Sequence, residues 1–209
     1  MAGEVSEFTY KAAPIGRRIT VRVDAERAWA EDASSKRRGG IDLRAVAAGR
    51  WSEIVMRYAG VPSMAQHILT LDGAGGRLRL RLGENIGRSD PSENARAFYA
   101  ACAAVLGAAA KARPELRIDV GPATFIRWLM SGFGAAAILL ALVALLGAVG
   151  ALLGRSWVEG VLFLALGASL GASGAIMATS FNPFRGRESV SAAALASDLA
   201  ARARSNPVP

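Results

Sequence analysis

The chain has 209 residues, of which 52% are hydrophobic, and a formal net charge of +8 at neutral pH. Its apolar residues are concentrated in the second half, which indicates one polar domain and a membrane segment rather than two globular domains. A single histidine and a single cysteine exclude an intrachain disulfide and a metal cluster built from several such residues. Because no element suited to a nucleic-acid groove is recognisable, we expect the basic excess to meet anionic lipid rather than nucleic acid.

Short strands make up most of the first half of the chain. Residues 1 to about 15 are expected to be a lead-in without regular structure, and residues 17–23 alternate in polarity as a half-buried strand does. We expect a return strand in residues 27–31 and a charged loop in residues 34–40. Two further strands are expected in residues 41–43 and 50–58.

A glycine-rich hairpin is the clearest motif of this half, with strands at residues 68–71 and 77–82. The loop between them joins strand to strand and lacks the Lys-Ser/Thr pair of a phosphate-binding loop, so we interpret it as a turn. The alternation in the second strand sends its leucines into a core and forms a stripe on the opposite face from Arg77, Arg79 and Arg81. His67 precedes the first strand and is expected at an edge.

A helix with clear ends follows the hairpin. Asp90 is suited to cap it, Pro91 to the first helical position and Glu93 to a capping box. Three- and four-residue spacing predicts a buried face made of Ala95, Phe98, Cys102, Val105, Leu106 and Ala109. We therefore interpret Cys102 as a core residue rather than a nucleophile. A short extended piece, residues 116–120, leads to a hinge at Gly121 and Pro122.

This order of elements resembles the pleckstrin-homology-like (PH-like) domains of bacteria. The resemblance covers roughly residues 17–112: short antiparallel strands, the apolar positions Ile41, Leu43 and Val46 before a long strand, a hairpin, and one C-terminal helix. It implies an α+β fold in residues 1–124, an antiparallel sheet or barrel closed by that helix. Such domains are often tethered to membrane helices. The phosphoinositide-binding signature of eukaryotic members has no residue-by-residue counterpart in this chain, so no headgroup site is carried over.

Two long apolar runs, residues 128–154 and 160–184, contain no charged side chain. Each is long enough to cross a hydrocarbon core of about 30 Å, which predicts a transmembrane hairpin in residues 125–184 with spans at about 128–154 and 160–181. The spans lack the ionisable groups of a proton or ion pathway. Basic residues flank both outer ends, so we expect both termini in the cytoplasm of a bacterial inner membrane. Residues 185–209 would be a cytoplasmic tail with an alanine-rich helix at about 189–203.

Small residues recur within both runs, typically four residues apart, and such faces let helix backbones come close together. The candidate helix-packing residues are Gly150, Gly154, Gly167, Gly171 and Ala175. Two interpretations stay open. The small faces either pack the two spans against each other or mediate self-association or binding to another membrane protein.

The best candidate binding residues are basic: the Arg77, Arg79 and Arg81 stripe, with Lys36, Arg37 and Arg38 of the charged loop. They would meet anionic headgroups or a partner, unless they are only the solvated face of an amphipathic strand. Because positioned acids, bases and nucleophiles are scarce, we expect a non-catalytic, membrane-anchored binding or scaffolding module without cofactor or metal. A small accessory or assembly subunit of a larger membrane complex is the alternative.

Overall fold

The computed structural model describes residues 5–13, 17–34, 36–58, 61–86, 92–122, 124–184, 186 and 188–205. The chain divides into two compact units. One, called the sheet domain below, comprises Met1–Gly121 together with Arg187–Pro209, and the other, called the helical hairpin, comprises Pro122–Gly186. The predicted mixed α+β class is confirmed.

A four-stranded antiparallel sheet forms the first part of the sheet domain. Its strands pair in chain order and are β1 (Ser6–Lys11), β2 (Arg18–Val23), β3 (Arg27–Asp32) and β4 (Arg37–Asp42). Alternate residues, including Val21, Val23 and Ile41, point into the core because successive side chains of a strand lie on opposite faces. The strands predicted at residues 17–23 and 27–31 are confirmed.

Two segments expected to be irregular are strands. The predicted lead-in is wrong for residues 6–11, because Tyr10 of β1 is buried and its ring meets that of Phe98 edge-on at 5.1 Å. The predicted charged loop is wrong for residues 37–40, which pair with β3. A Cβ atom on Gly39 would lie 2.7 Å from the carbonyl oxygen of Arg77. The glycines of β4 therefore permit a close backbone approach and do not signal a loop.

A five-stranded sheet forms the second part, in the order β7-β6-β5-β8-β9, in which β8 is Arg117–Val120 and β9 is Glu188–Ser191. A short 3₁₀ turn (Leu43–Ala45) leads into β5 (Val46–Tyr58), which is followed by β6 (Val61–Gly73) and β7 (Gly76–Ile86). The predicted hairpin is confirmed with longer strands, and Gly76 has a φ of 130° at its turn, a value that favours glycine.

Helix α1 (Glu93–Ala112) packs on the core through the predicted face, every member of which is buried. Its cap differs from the prediction, because the side chain of Ser92 accepts a hydrogen bond from the backbone of Ala95 and Glu93 is the first helical residue. Asp90 and Pro91 lie outside the described residues.

The order of seven strands and one helix is compatible with a PH-like fold. The described strands form two sheets that are not closed into one barrel. The expected barrel is therefore not confirmed.

The segment after the helical hairpin is part of the sheet domain. Strand β8 (Arg117–Val120) runs parallel to β5, and β9 (Glu188–Ser191) pairs antiparallel with β8 so that Glu188 lies opposite Val120. Helix α4 (Ala192–Arg204) packs on α1 and buries Leu195 and Leu199 in the common core. The helical hairpin is thus inserted into the connection between two paired strands.

The helical hairpin consists of α2 (Thr124–Leu153) and α3 (Trp157–Ser180). Both helices are long and apolar enough to cross a membrane. At the end of the helical hairpin where the chain enters and leaves this unit, the Arg127 guanidinium donates a hydrogen bond to the backbone carbonyl of Asn182. The rings of Trp128 and Phe184 meet edge-on there at 5.2 Å.

Candidate anion-binding pocket

The arginine stripe is placed by the alternation of β7. Leu78, Leu80 and Leu82 are buried, whereas Arg77, Arg79 and Arg81 are exposed. The six candidate basic residues nevertheless do not form one patch. Arg77 donates to the Asp72 carboxylate across the hairpin turn, and the exposed side chains of Lys36 and Arg37 do not line the cavity described next.

A cavity of about 480 Å³ gathers three of the predicted arginines and adds a fourth. The three are Arg38, Arg79 and Arg81, and the addition is Arg17, just before β2. We call these four residues, with Asp32 at the end of β3, the arginine pocket. Its remaining lining is small or apolar: Ala12, Ala13, Ile19 and Ala30.

Asp32 organises one wall of the arginine pocket. Its side chain is only 2% exposed and accepts hydrogen bonds from the Ser34 hydroxyl at 2.6 Å and from the backbone amides of Ser34 and Lys36. The Arg38 guanidinium lies 3.2 Å away and that of Arg17 lies 4.0 Å away. The hydrogen bond from Ser34, supported by the amides and by the charge of Arg38, lowers the pKa of Asp32 to about 2. The carboxylate is therefore ionised at neutral pH and fixes both the turn and Arg38.

The arginines that β7 contributes to the pocket have no such partner. Among the described residues, Arg79 and Arg81 form no ion pair. Four guanidinium groups against one carboxylate leave the arginine pocket with an excess of positive charge. Guanidinium forks match the oxygens of phosphate and carboxylate groups, so the chemistry that this pocket offers is the binding of an anion.

A second polar cluster surrounds His67, which is not at an edge as expected. β6 begins at Val61 and lies between β5 and β7, so His67 is buried well inside a central strand. Its Nε2 atom is 3.2 Å from the hydroxyl of Tyr99, and its ring stacks with that of Trp51 at 6.0 Å. No local sequence pattern predicts this cluster, because its members come from distant elements.

Cys102 is completely buried, and burial raises the pKa of its thiol. A thiol in that state is a weak nucleophile. Among the described residues, no group of three or more His, Cys, Asp or Glu side chains is placed to hold a metal ion.

The small residues of the helical hairpin meet at a seam with seven-residue spacing. Its buried members are Gly134, Ala141, Ala144 and Ala148 on α2 and Gly160, Gly167 and Gly174 on α3, and all of them except Ala144 follow that spacing. Residues four apart drift by about 40° around a helix, whereas residues seven apart drift by about 20°. Of the predicted helix-packing residues, Gly167 and Gly171 therefore face α2, while Ala175 is exposed. A Cβ atom on Gly150 would meet open space, and one on Gly154 would meet only backbone oxygens of α2 itself.

No protein-family model, no curated protein and no solved structure matches the chain. The fold and the arginine pocket therefore carry the functional argument.

Proposed function

We propose that this protein is a non-catalytic binding module, anchored in a membrane by its helical hairpin, that captures an anionic group in the arginine pocket of a PH-like domain. The observation that carries the proposal is the convergence of Arg17, Arg38, Arg79 and Arg81 on one cavity. A solvated strand face would require no such convergence. The ligand class that we favour is the anionic headgroup of a membrane lipid, since each basic side chain near such a surface contributes about 1 kcal/mol.

The topology of the sheet domain supports the membrane part of the proposal. Residues before and after the helical hairpin belong to one compact unit, and a folded unit cannot be divided between two sides of a bilayer. Both ends of the hairpin then lie on the same side. Basic flanks at Arg113, Arg117, Arg185 and Arg187 favour the cytoplasmic side of a bacterial inner membrane.

The test measures binding of short-chain lipids to the full chain in neutral detergent. Dihexanoyl phosphatidylglycerol and phosphatidic acid are compared with dihexanoyl phosphatidylcholine. The double variant Arg79→Gln/Arg81→Gln should weaken anionic-lipid binding about 30-fold, which corresponds to two charges at about 1 kcal/mol each.

The matched control is Arg37→Gln/Arg77→Gln, which removes the same charge from neighbouring strands without touching the arginine pocket. It should weaken binding much less. Equal losses in both double variants would mean that diffuse charge, and not the pocket, attracts the lipid. Equal binding of anionic and neutral lipids would refute headgroup capture.

A second candidate function is an accessory or assembly subunit of a larger membrane complex. Gly150 and Ala175 favour it, because these exposed small residues lie outside the seam and leave room for another helix. Native mass measurement after mild detergent extraction separates the two functions. Co-purifying foreign subunits favour the accessory role, whereas a lone or self-associated chain favours the binding module.

A further inference from the structure

The buried His67 side chain connects the core of the sheet domain to α4. The imidazole is 4% exposed, and its Nδ1 atom lies 3.9 Å from the Oε2 atom of Glu53 on β5. Nδ1 has no hydrogen-bond partner, whereas Nε2 is within hydrogen-bonding distance of the Tyr99 hydroxyl on α1. One ring nitrogen is therefore engaged, and the other is held near a carboxylate without being bonded to it.

The same carboxylate holds α4 in place. The Nη1 atom of Arg202 donates to Oε2 of Glu53 at 3.2 Å, and its Nε atom donates to Asp198 at 3.1 Å on the preceding turn. The oxygen that receives Arg202 is thus also the one nearest to His67. Because α4 comes from the chain segment after the helical hairpin, this contact ties that segment to the five-stranded sheet.

We propose that protonation of His67 weakens the attachment of α4 to the sheet domain. When the imidazole is neutral, the Glu53 carboxylate is committed to Arg202. Protonation puts a proton on both ring nitrogens, so that Nδ1 faces Glu53 as part of a cation, and it places a second positive charge beside Arg202. The imidazolium then competes with Arg202 for one oxygen, and the ion pair that holds α4 weakens.

The charges around the ring come from every element packed against it. Glu53 on β5 and Glu84 on β7 favour protonation, whereas Arg202 on α4 opposes it. Tyr99 on α1 is neutral in this pH range, and burial raises its pKa further, to about 12. Burial is the largest influence and lowers the pKa of His67 below its usual value. The unfolded chain then binds the proton more readily than the native state. The contribution of neutral His67 to the free energy of unfolding is therefore full above about pH 6.5. It decreases as the pH falls towards the lower pKa that His67 has in the native state.

The effect is confined to local opening of α4. Apolar contacts of Ala192, Leu195 and Leu199 with the core do not depend on the charge of His67. Protonation should therefore raise the frequency with which α4 detaches without unfolding the sheet domain.

The chain offers a direct probe, because His67 is its only histidine and gives a single set of imidazole resonances by NMR. The pKa of His67 is measured in the full chain in neutral detergent. Arg202→Gln should raise that pKa, since a nearby positive charge is removed. The matched control Arg204→Gln should leave it unchanged, because Arg204 donates only to the carbonyl of Ala200 on its own helix. An unchanged pKa in Arg202→Gln would overturn the proposal.

Hydrogen exchange supplies the second measurement. After correction for intrinsic rates, the amides of α4 should exchange about two- to fivefold faster at about pH 5.5 than at about pH 7.5, the range expected for the loss of one partly exposed ion pair. The amides of α1 should not follow, and His67→Gln should abolish the difference. Parallel loosening of α1 and α4, or an unaltered pH response in His67→Gln, would contradict the mechanism. If His67→Gln does not fold, the NMR comparison decides.

Discussion

The sheet domain and the helical hairpin differ in the size of the side chains that they bury. Large residues such as Leu80 and Phe98 fill the interior of the sheet domain, and among its described residues only Val5 and Met64 are large, apolar and exposed. The helical hairpin instead buries glycine and alanine. Many of its large apolar side chains are exposed, among them Phe133, Leu139, Leu146, Val161 and Ile176.

This difference indicates which surroundings each region needs. In water, burying a large apolar side chain is favourable by about 1.5–3 kcal/mol, and the sheet domain is built on that gain. In hydrocarbon the gain disappears, so helices associate through small residues that let their backbones touch. The helical hairpin has the second arrangement, which supports the proposal that lipid surrounds it.

The largest expected effect follows from removing the helical hairpin. Val120 and Glu188 are directly paired across β8 and β9, and a two-residue Asn-Gly turn joins antiparallel strands well. A chain in which Asn-Gly replaces residues 121–187 should therefore fold and stay soluble without detergent. Far-UV circular dichroism, a cooperative thermal transition and size-exclusion chromatography in detergent-free buffer check this.

The control for this excision ends the chain at Val120, so that β9 and α4 are also lost. The apolar surface covered by Leu195 and Leu199 would then be open to water, and this control should aggregate or lose its cooperative transition. If the Asn-Gly chain still required detergent, the comparison between the two regions would be invalid.

The sequence predicts what is local and leaves out what tertiary packing decides. The buried face of α1 and the alternation of Leu and Arg along β7 depend on residues close in the chain, and both are confirmed. The arginine pocket brings together Arg17, Arg38 and Arg79, which are far apart in the chain. No local sequence pattern indicates that these residues lie close together. Sheet pairing likewise decides the position of His67.

The sequence of α4 predicts its buried face less clearly than that of α1. Leu195 and Leu199 are the only large apolar residues of α4, one turn apart in an alanine-rich segment. Such a sparse face is ambiguous in sequence, because its burial depends on the surface that α1 provides. A four-residue spacing of small residues is likewise insufficient to define the seam, since Gly167 and Gly171 face α2 whereas Ala175, the next step, is exposed.

A matched pair of leucine substitutions tests the comparison within the intact chain. Leu199→Ala removes a completely buried side chain and should lower the free energy of unfolding of the sheet domain by about 2–5 kcal/mol. Leu146→Ala makes the same change on α2, where the side chain is 73% exposed, and should alter that free energy by less than about 0.5 kcal/mol. Hydrogen-exchange protection of α1 in detergent, measured for both variants, reports the difference. Similar losses in both variants would contradict the assignment of Leu199 to the core.

The smallest effect concerns the seam itself, where adding a single methyl group should be harmful. A Cβ atom on Gly174 would lie 2.7 Å from the carbonyl oxygen of Gly134, so Gly174→Ala must push α3 away from α2, at a cost of about 1–3 kcal/mol. Gly150→Ala places its methyl group in open space and should be neutral or stabilising by up to about 1 kcal/mol through helix propensity. Unfolding of the helical hairpin by SDS in mixed micelles ranks the two variants. A more stable Gly174→Ala, or a destabilised Gly150→Ala, would show that the helices do not meet through this seam.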